Sequence, residues 1–227
     1  MLATLRAVAA IGYRAIEFAG LGDANVVDIR RTLDALQITA VSAHVPLADL
    51  TERLPQVIAQ MHALDCQQVV LPWIPTEYRT PFDQVMRMAT TCNAIGAALA
   101  REGIAFAYHN EDYDFLPLGT TTLWHALVTA TDPALVRLQL DLFTAQQMHV
   151  DVFAVIREHG PRITSLHVCD ERDGRYVPIG TGTCDWPPLI VAARATASQW
   201  LIVEQDGSQQ PIQDARINLE QLGALIS

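Results

Sequence analysis

The chain has 227 residues, half of them hydrophobic, and a formal net charge of −10 at pH 7. This length is enough for one substantial hydrophobic core, and no stretch approaches the roughly 20 apolar residues that a membrane-spanning helix needs. The acidic balance argues against a nucleic-acid-binding surface, which normally carries a basic patch. The first residues show no basic segment followed by an apolar block, so nothing indicates export. We expect a cytoplasmic protein that handles a small polar molecule and has no nucleic-acid or membrane partner.

Short apolar runs typical of strands alternate along the chain with longer amphipathic stretches typical of helices. The predicted strands are Arg14–Phe18, Ile38–His44, Gln68–Trp73, Ile104–Glu111, Val136–Asp141, Ile163–Cys169 and Trp200–Glu204. The first predicted helix is Leu2–Ile11, ended by Gly12, and we expect Asp23 to cap the second. This alternation predicts parallel strands covered by helices, in an α/β TIM barrel that forms one domain over residues 1–227.

The predicted elements number seven strands, preceded by a helix, whereas a complete TIM barrel has eight strands. We therefore expect a barrel that lacks its first strand, with a gap between the strands Arg14–Phe18 and Trp200–Glu204. The opening strand either lies upstream of Met1 or is missing, which would leave two strand edges exposed. An error in the strand count is the alternative, because boundaries read from sequence are uncertain. The gap predicts a homo-oligomer, or a chain less stable than a version extended upstream.

Three polar residues end successive predicted strands towards the end of the chain, namely Asp141, His167 and Glu204. In a barrel the carboxyl ends of the strands converge at one mouth. A mixed carboxylate and imidazole set suits a divalent metal ion such as Mn²⁺, Mg²⁺, Co²⁺ or Zn²⁺. The four cysteines form no C-x-x-C pair and are expected to be buried hydrophobic residues. The alternative is that the three residues are unrelated helix caps, but their succession favours a metal site.

The run AYHNEDYDF, which begins inside the fourth predicted strand and continues past its end, adds further candidates. By strand alternation His109 and Glu111 point to the same side, and Asn110 points to the other. Either His109 or Glu111 could complete the metal shell, and the remaining one could act as an acid or base. We expect the acids that follow, Asp112 and Asp114, to be exposed.

Five more residues are predicted to contact the substrate around the mouth: Glu17, His44, Trp73, Asp170 and Arg175. Asp170 lies three residues after His167, so it could instead be the hydrogen-bond partner of that histidine. An arginine on this loop could hold a carboxylate or phosphate through two hydrogen bonds. For the lone residues of the rim, a structural hydrogen bond is the alternative to a substrate contact.

Several segments of the chain resemble one known family. The segments GYRAIEFAG, YHNEDYDF, HVCD, IGTGTCDW and IVEQD resemble the sugar phosphate isomerase/epimerase family of xylose isomerase-like TIM barrels. The likeness extends in order over nearly the whole chain. Its closest subgroup carries YHNH-x-x-EF on the fifth barrel strand, where this chain has YHNE-x-x-DF.

The resemblance implies a metal held by a residue on the fifth strand, an Asp on the sixth, a His on the seventh and a Glu on the eighth. The last three match Asp141, His167 and Glu204. Counted from the glycine that opens the fifth strand, the remaining ligand position falls on His109. Glu111 replaces the second histidine of the subgroup motif, which leaves the fourth ligand open.

The resemblance also implies an isomerase or epimerase acting on a sugar, keto-sugar or polyol. In that reaction a proton leaves the carbon next to a carbonyl, and a metal stabilises the enediolate. Glu204 is the expected base, with Glu111 or His109 on the opposite side. A lyase or dehydratase on an inosose or keto-glycoside shares this enolising step. A metal-free barrel that only binds sugar is the alternative outside enzymes.

Overall fold

In the computed structural model, which describes residues 1–22 and 24–227, seven parallel strands form a nearly closed barrel surrounded by helices. The strands are β1 (Ala15–Phe18), β2 (Thr39–His44), β3 (Gln68–Leu71), β4 (Ala105–His109), β5 (Arg137–Asp141), β6 (Ile163–Val168) and β7 (Leu201–Val203). They are hydrogen-bonded in chain order, each parallel to the next. The predicted number and direction of the strands are thus confirmed.

Ten α-helices occur in the described part of the chain. They are α1 (Leu2–Ile11), α2 (Val26–Leu36), α3 (Leu47–Glu52), α4 (Leu54–Leu64), α5 (Phe82–Ala100), α6 (Leu123–Ala130), α7 (Leu142–Gln147), α8 (Val152–His159), α9 (Trp186–Ala193) and α10 (Pro211–Ile226). Helix α1 ends at Gly12, as expected, with φ 121° at that glycine. The expected cap Asp23 lies outside the described residues, and the side chain of Asn25 caps α2.

The amphipathic stretches of the sequence predict eight helices, one of them over Leu50–Leu64, and the described residues form ten. Helices α3 and α4 were expected as one, but Pro55 in the first turn of α4 cannot donate a backbone hydrogen bond to the preceding turn. Helix α7 begins directly after β5, where the side chain of Asp141 caps it. Among the residues described, no helix has both the length and the apolar character needed to span a membrane.

The barrel has a seam between its first and last strands. Within the described residues β1 and β7 pair with β2 and β6 respectively, and not with each other. A cleft of about 200 Å³ runs along the seam, lined by Tyr13, Ile16, Leu201 and Val203 among others. Both edge strands are only partly buried. The predicted gap is therefore confirmed in position.

The hydrophobic core lies between the strands and the helices. Strand β3 is buried along Val69–Leu71, and α5 places Val85, Met88, Cys92 and Leu99 inward at helical spacing. The four cysteines are free thiols, and three of them are buried, in agreement with the sequence analysis. This shell of packing holds the strand ends in place around the mouth.

Candidate metal centre at the barrel mouth

Four side chains converge at the carboxyl ends of β4 to β7. They are His109 at the end of β4, Asp141 at the end of β5, His167 in β6 and Glu204 directly after β7. One nitrogen or oxygen atom from each lies within 4.8 Å of the corresponding atoms of the other three. The pairing register places Asp141 opposite His167 on adjacent strands. The structure thus brings together three predicted ligands from successive strands, joined by His109.

Asp141 is held firmly from both its side chain and its backbone. Its carboxylate accepts hydrogen bonds from the backbone N–H (3.1 Å) and the hydroxyl (2.9 Å) of Thr144, so it does serve as the cap of α7. The side-chain amide of Asn110 pairs with the backbone N–H and C=O of Asp141. Each carboxylate oxygen still has a free lone pair. Capping and metal binding are therefore compatible roles. Burial raises the pKa of Asp141.

His167 lies between two carboxylates. Its Nδ1 is 2.6 Å from Glu204 Oε2, and its Nε2 is 2.6 Å from Glu17 Oε1. Burial alone would lower the pKa of His167, but the hydrogen bonds to Glu17 and Glu204 raise it to about 10. The same two hydrogen bonds lower the pKa of the carboxylates of Glu17 and Glu204. Burial would raise the pKa of Glu204, yet the bond from His167 lowers it.

His109 is the exception among these side chains because it has no hydrogen-bond partner in the described structure. The residue is 4% exposed, and neither ring nitrogen is paired. Its Nε2 lies 3.8 Å from Asp141 Oδ2, beyond hydrogen-bond distance. Burial, followed by repulsion from His167 and His44, lowers its pKa to about 3, so the imidazole is neutral at pH 7.

The donor set fits a divalent ion. A buried polar group without a partner is costly and is expected to have a reason. Neutral imidazole is the form in which histidine binds a metal, and His109 holds both nitrogens unpaired beside Asp141. Two imidazoles and two carboxylates are ligands that Zn²⁺, Mn²⁺ and Co²⁺ accept. These residues therefore suit the metal that the sequence pattern indicates.

Glu111 lies beside this cluster but is not one of its four members. Burial raises the pKa of Glu111 to about 7, with repulsion from Asp141 and Asp112 adding to the effect. Its backbone N–H donates to Asp114 Oδ2 at 2.7 Å. The side chain therefore stands next to the four-residue cluster, with a pKa near neutrality.

Asp114 was predicted to be exposed, and this prediction is wrong. The residue is fully buried, and its two oxygens accept from the Tyr108 hydroxyl at 2.6 and 2.7 Å. Burial raises its pKa to about 7. The reason is a 3₁₀ turn at Asp112–Phe115, which folds the Asp114 side chain back beneath Glu111.

A cavity of about 280 Å³ opens at the mouth, near the lower end of the size range of small-ligand sites. It is lined by Ala19, Gly20, His44, Pro46, Pro72, Trp73, His109, Glu111 and Glu204. Two residues predicted for the rim, His44 and Trp73, border this space, and Trp73 is 42% exposed.

Glu17 lies deeper than predicted. Its side chain is 6% exposed and sits beneath His167 rather than on the rim. Its other oxygen, Oε2, accepts from the Ser42 hydroxyl and from the Gln139 amide. Burial would raise the pKa of Glu17, but hydrogen bonds to His167 and His44 hold it well below its usual range. The structure therefore places Glu17 in a buried hydrogen-bonding position and not on the rim.

Asp170 also has a structural role instead of the two predicted for it. Its carboxylate accepts five hydrogen bonds of 2.8–3.1 Å from the following loop, donated by the backbone N–H groups of Glu171, Gly180, Gly182 and Cys184 and by the indole of Trp186. Burial would raise the pKa of Asp170, but these bonds lower it. Arg175 lies on the exposed hairpin formed by Asp170–Arg172 and Arg175–Val177, outside the residues that line the mouth cavity.

The sequence analysis missed a layer of polar side chains directly beneath the mouth. Ser42, Gln139 and Ser165 are almost completely buried and face into the barrel. Each lies two residues before a polar strand end, at His44, Asp141 and His167. Period-two alternation therefore places each pair on the same inner face, and this signal is visible in the sequence.

The comparisons with known proteins agree with this architecture. The family described as xylose isomerase-like TIM barrel matches residues 5–225. No curated protein matches the sequence. Three solved structures illustrate the fold. A sugar phosphate isomerase/epimerase from Parabacteroides distasonis ATCC 8503 has 19% identity and a TM-score of 0.85, over 100% of this chain and 93% of the other.

An L-ribulose 3-epimerase has 18% identity and a TM-score of 0.75, over 99% of this chain and 88% of the other. A D-psicose 3-epimerase, crystallised in the presence of D-fructose, has 16% identity and a TM-score of 0.75, over 99% and 93%. At these identities the likeness establishes the fold. Because the family match spans nearly the whole chain, this protein belongs to the xylose isomerase-like TIM barrel family.

Proposed function

We propose that this protein is a divalent-metal-dependent isomerase or epimerase of a sugar, keto-sugar or polyol. The observation that carries the proposal is the convergence of His109, Asp141, His167 and Glu204 beside a small cavity, with the His109 imidazole buried and unpaired in the part of the chain described. The similar structures include sugar isomerases and epimerases, which supports the substrate class.

The four converging side chains would hold the ion, which could be Mn²⁺, Mg²⁺, Co²⁺ or Zn²⁺. His109 is preferred over Glu111 as the fourth ligand because it belongs to the cluster and is neutral at pH 7. When bound, a divalent ion polarises carbonyl and hydroxyl oxygens and so favours loss of a proton from the neighbouring carbon.

Glu111 and Glu204 are the proposed acid–base pair. Both border the cavity, and a third of the Glu204 side chain is exposed. The lowered pKa keeps Glu204 ionised at neutral pH, as a base requires. Glu111, with a pKa of about 7, can both accept and release a proton near neutrality. His109, also considered as a catalytic residue, is instead assigned to the metal.

The cavity suits a small polyhydroxy molecule. Trp73 presents an exposed ring at its edge, against which the apolar face of a sugar can pack. His44 offers a polar contact on the same side. The net charge of −10 supports the proposal that the protein has no nucleic-acid partner. We also propose that it has no membrane partner, a cytoplasmic location and a single domain. The open seam is compatible with the expected homo-oligomer.

A lyase or dehydratase acting on an inosose or keto-glycoside is the second candidate. It begins with the same removal of a proton and then needs an acid for the leaving group. The raised pKa of Glu111 favours this candidate, because a protonated Glu111 could donate to a departing hydroxyl or glycosidic oxygen.

Proton exchange in D₂O tests both candidates. Metal-loaded protein is incubated with a panel of ketoses, inososes and keto-glycosides, and the products are followed by NMR. Deuterium on carbon with unchanged composition supports the isomerase or epimerase, whereas loss of water or of a glycosidic group supports the lyase. No exchange with any compound, together with sugar binding by metal-free protein, would favour a barrel that only binds sugar.

A matched pair of variants connects the exchange to the site. Glu111→Gln should slow it by about 10²–10⁴-fold, the usual contribution of one acid–base group. Glu158→Gln makes the same change at an exposed glutamate of α8 that does not line the cavity, and it should leave the rate within about twofold of the unmodified protein. Equal rates for the two variants would remove Glu111 from the mechanism.

A further inference from the structure

We propose that Glu17 is a positioning residue for the metal centre: it accepts the Nε2–H of His167 and thereby leaves Nδ1 of that histidine free to bind the metal. This inference rests on the proposed function, because it concerns the same centre. It assigns a role to a buried carboxylate that takes no part in the chemistry proposed above.

The first step is the geometry around His167. The two ring nitrogens face opposite carboxylates, Nδ1 towards Glu204 Oε2 and Nε2 towards Glu17 Oε1, each at 2.6 Å. Glu204 belongs to the four-residue cluster, and Glu17 lies outside it. The metal-free ring, with its raised pKa, is protonated on both nitrogens, so a metal has to displace one proton. The hydrogen bond that the other nitrogen keeps decides which nitrogen the metal takes. The side of the ring that faces Glu17 is thus the side that should keep the proton.

The second step is that Glu17 is surrounded by donors. Its Oε2 accepts from the Ser42 hydroxyl and, at 2.7 Å, from the Gln139 amide nitrogen. A flipped amide would place its oxygen against the Glu17 carboxylate, so the nitrogen faces Glu17. This nitrogen also donates to Ser165 Oγ at 2.9 Å, and the amide oxygen lies 2.8 Å from His44 Nε2. Glu17 therefore acts as an acceptor towards His167, and an acceptor there requires a proton on Nε2.

The hydrogen bonds around Glu17 also reach His44, which lines the cavity. His44 Nε2 lies 3.1 Å from the same Glu17 oxygen that receives His167, and the two imidazoles are stacked 5.4 Å apart at 8°. Since the acceptors Glu17 and Gln139 both face His44 Nε2, that nitrogen also carries the proton. One buried carboxylate thus orders an expected metal ligand and a residue that lines the cavity.

The expected size of the effect follows from metal sites in general. Removing the carboxylate or carbonyl that receives the second N–H of a metal-binding histidine typically costs 10–100-fold in metal affinity. In Glu17→Gln the donors Ser42 and Gln139 draw the single amide oxygen to their side, so the NH2 faces Nε2 of His167 and cannot accept its proton. Zn²⁺ binding should therefore weaken by about 10–100-fold. Ser42→Ala removes one donor to Glu17 and keeps its carboxylate, so its effect should stay within about threefold.

The test combines metal affinity with a direct reading of the histidine proton. Zn²⁺ affinity is measured by chelator competition for the unmodified chain, Glu17→Gln and Ser42→Ala, with the melting temperature of each metal-free protein as a check of folding. Nitrogen-15 NMR of Zn²⁺-loaded, histidine-labelled unmodified protein then shows which His167 nitrogen is protonated. We expect a proton on Nε2, Zn²⁺ on Nδ1 and the 10–100-fold loss in Glu17→Gln.

Zn²⁺ on Nε2 of His167, or an affinity of folded Glu17→Gln within twofold of the unmodified protein, would overturn the inference. If Glu17→Gln does not fold, the NMR experiment on the unmodified chain decides by itself. A protein that binds none of Zn²⁺, Co²⁺, Mn²⁺ and Mg²⁺ would overturn the metal centre and this inference together. Metal binding that ignores Glu17 would overturn the inference alone.

Discussion

Two layers of the same barrel differ in how well their polar groups are paired. The lower layer consists of Ser42, Gln139 and Ser165 together with Glu17. Its side chains hydrogen-bond to one another or to the histidines above them. In the mouth, directly above, His109 has no partner in the described structure and Glu111 carries a raised pKa. Local departures from good pairing are expected at functional sites, where a ligand compensates them. This difference indicates that the polar groups of the lower layer satisfy one another, whereas those of the mouth need a ligand as their partner.

Loss of a mouth carboxylate should have the largest effect. Asp141→Asn keeps a side chain that can cap α7, because asparagine caps helices as well as aspartate does, but it removes the charge that would face a bound ion. We expect Zn²⁺ affinity to fall by at least about 100-fold, beyond the range for a lost indirect partner, with little change in metal-free stability. Chelator competition and thermal melting measure the two quantities.

The matched control is Asp151→Asn, the same change at the cap of α8, where the exposed Asp151 accepts from the Ala154 N–H. It should leave metal affinity unchanged. Comparable losses in the two variants would show that helix capping, and not coordination, carries the effect of Asp141.

Loss of a group in the lower layer should reduce folding stability instead. Gln139→Leu takes a donor from Glu17 and an acceptor from His44, so at least two buried polar groups lose a partner. Each such group costs about 1–3 kcal/mol. We expect the free energy of unfolding of the metal-free protein to fall by about 2 kcal/mol, measured by urea titration. An unchanged free energy of unfolding would mean that the hydrogen bonds of the lower layer do not stabilise the fold.

The buried carboxyl of Asp114 should make the folding stability of the protein depend on pH. Its pKa is raised from 3.8 to about 7 by burial, so the folded protein keeps a proton that the unfolded chain releases between these values. Its contribution to stability is therefore complete below pH 3.8 and is lost as the pH rises towards 7. Relative to Asp114→Asn, the unmodified metal-free protein should lose about 1 kcal/mol between pH 5 and 6.

Urea titrations at the two pH values measure this difference. Asp112→Asn, at the exposed acid two residues earlier, should follow the unmodified protein. If Asp114→Asn shows the same slope with pH as the unmodified chain, the Asp114 carboxyl is ionised throughout and the assignment is wrong.

The smallest effect on folding stability is expected at His109, whose ring nitrogens have no hydrogen-bond partner within the described residues. His109→Leu replaces a buried, unpaired imidazole by an apolar side chain, which removes a desolvation cost and breaks no hydrogen bond within the described residues. The metal-free protein should be unchanged or up to about 1 kcal/mol more stable in urea. A loss as large as that of Gln139→Leu would erase the distinction between the two layers.

The elements and the main site could be predicted because they follow from regular patterns. Apolar runs of strand length locate β1 to β7, and parallel strands bring Asp141, His167 and Glu204 to one end. The seam between β1 and β7 follows from the count of strands. Here long-range geometry is set by periodicity, which a sequence shows directly.

The errors lie where local turns decide the direction of a side chain. A 3₁₀ turn buries Asp114, and the loop of the IGTGTCDW motif closes around Asp170 so that its backbone N–H groups satisfy the carboxylate. Glu17 lies inside the barrel because Ser42, Gln139 and His167 receive it there. These outcomes depend on hydrogen bonds between distant segments, which spacing along the chain does not reveal.

Metal analysis of the full chain purified without chelator decides whether the mouth holds a divalent ion. The same sample is melted before and after addition of Mn²⁺ or Zn²⁺. We expect about one equivalent of metal and a rise in melting temperature, since a ligand that binds only the folded state stabilises it. Less than about a tenth of an equivalent, with no rise on adding either ion, would contradict the account.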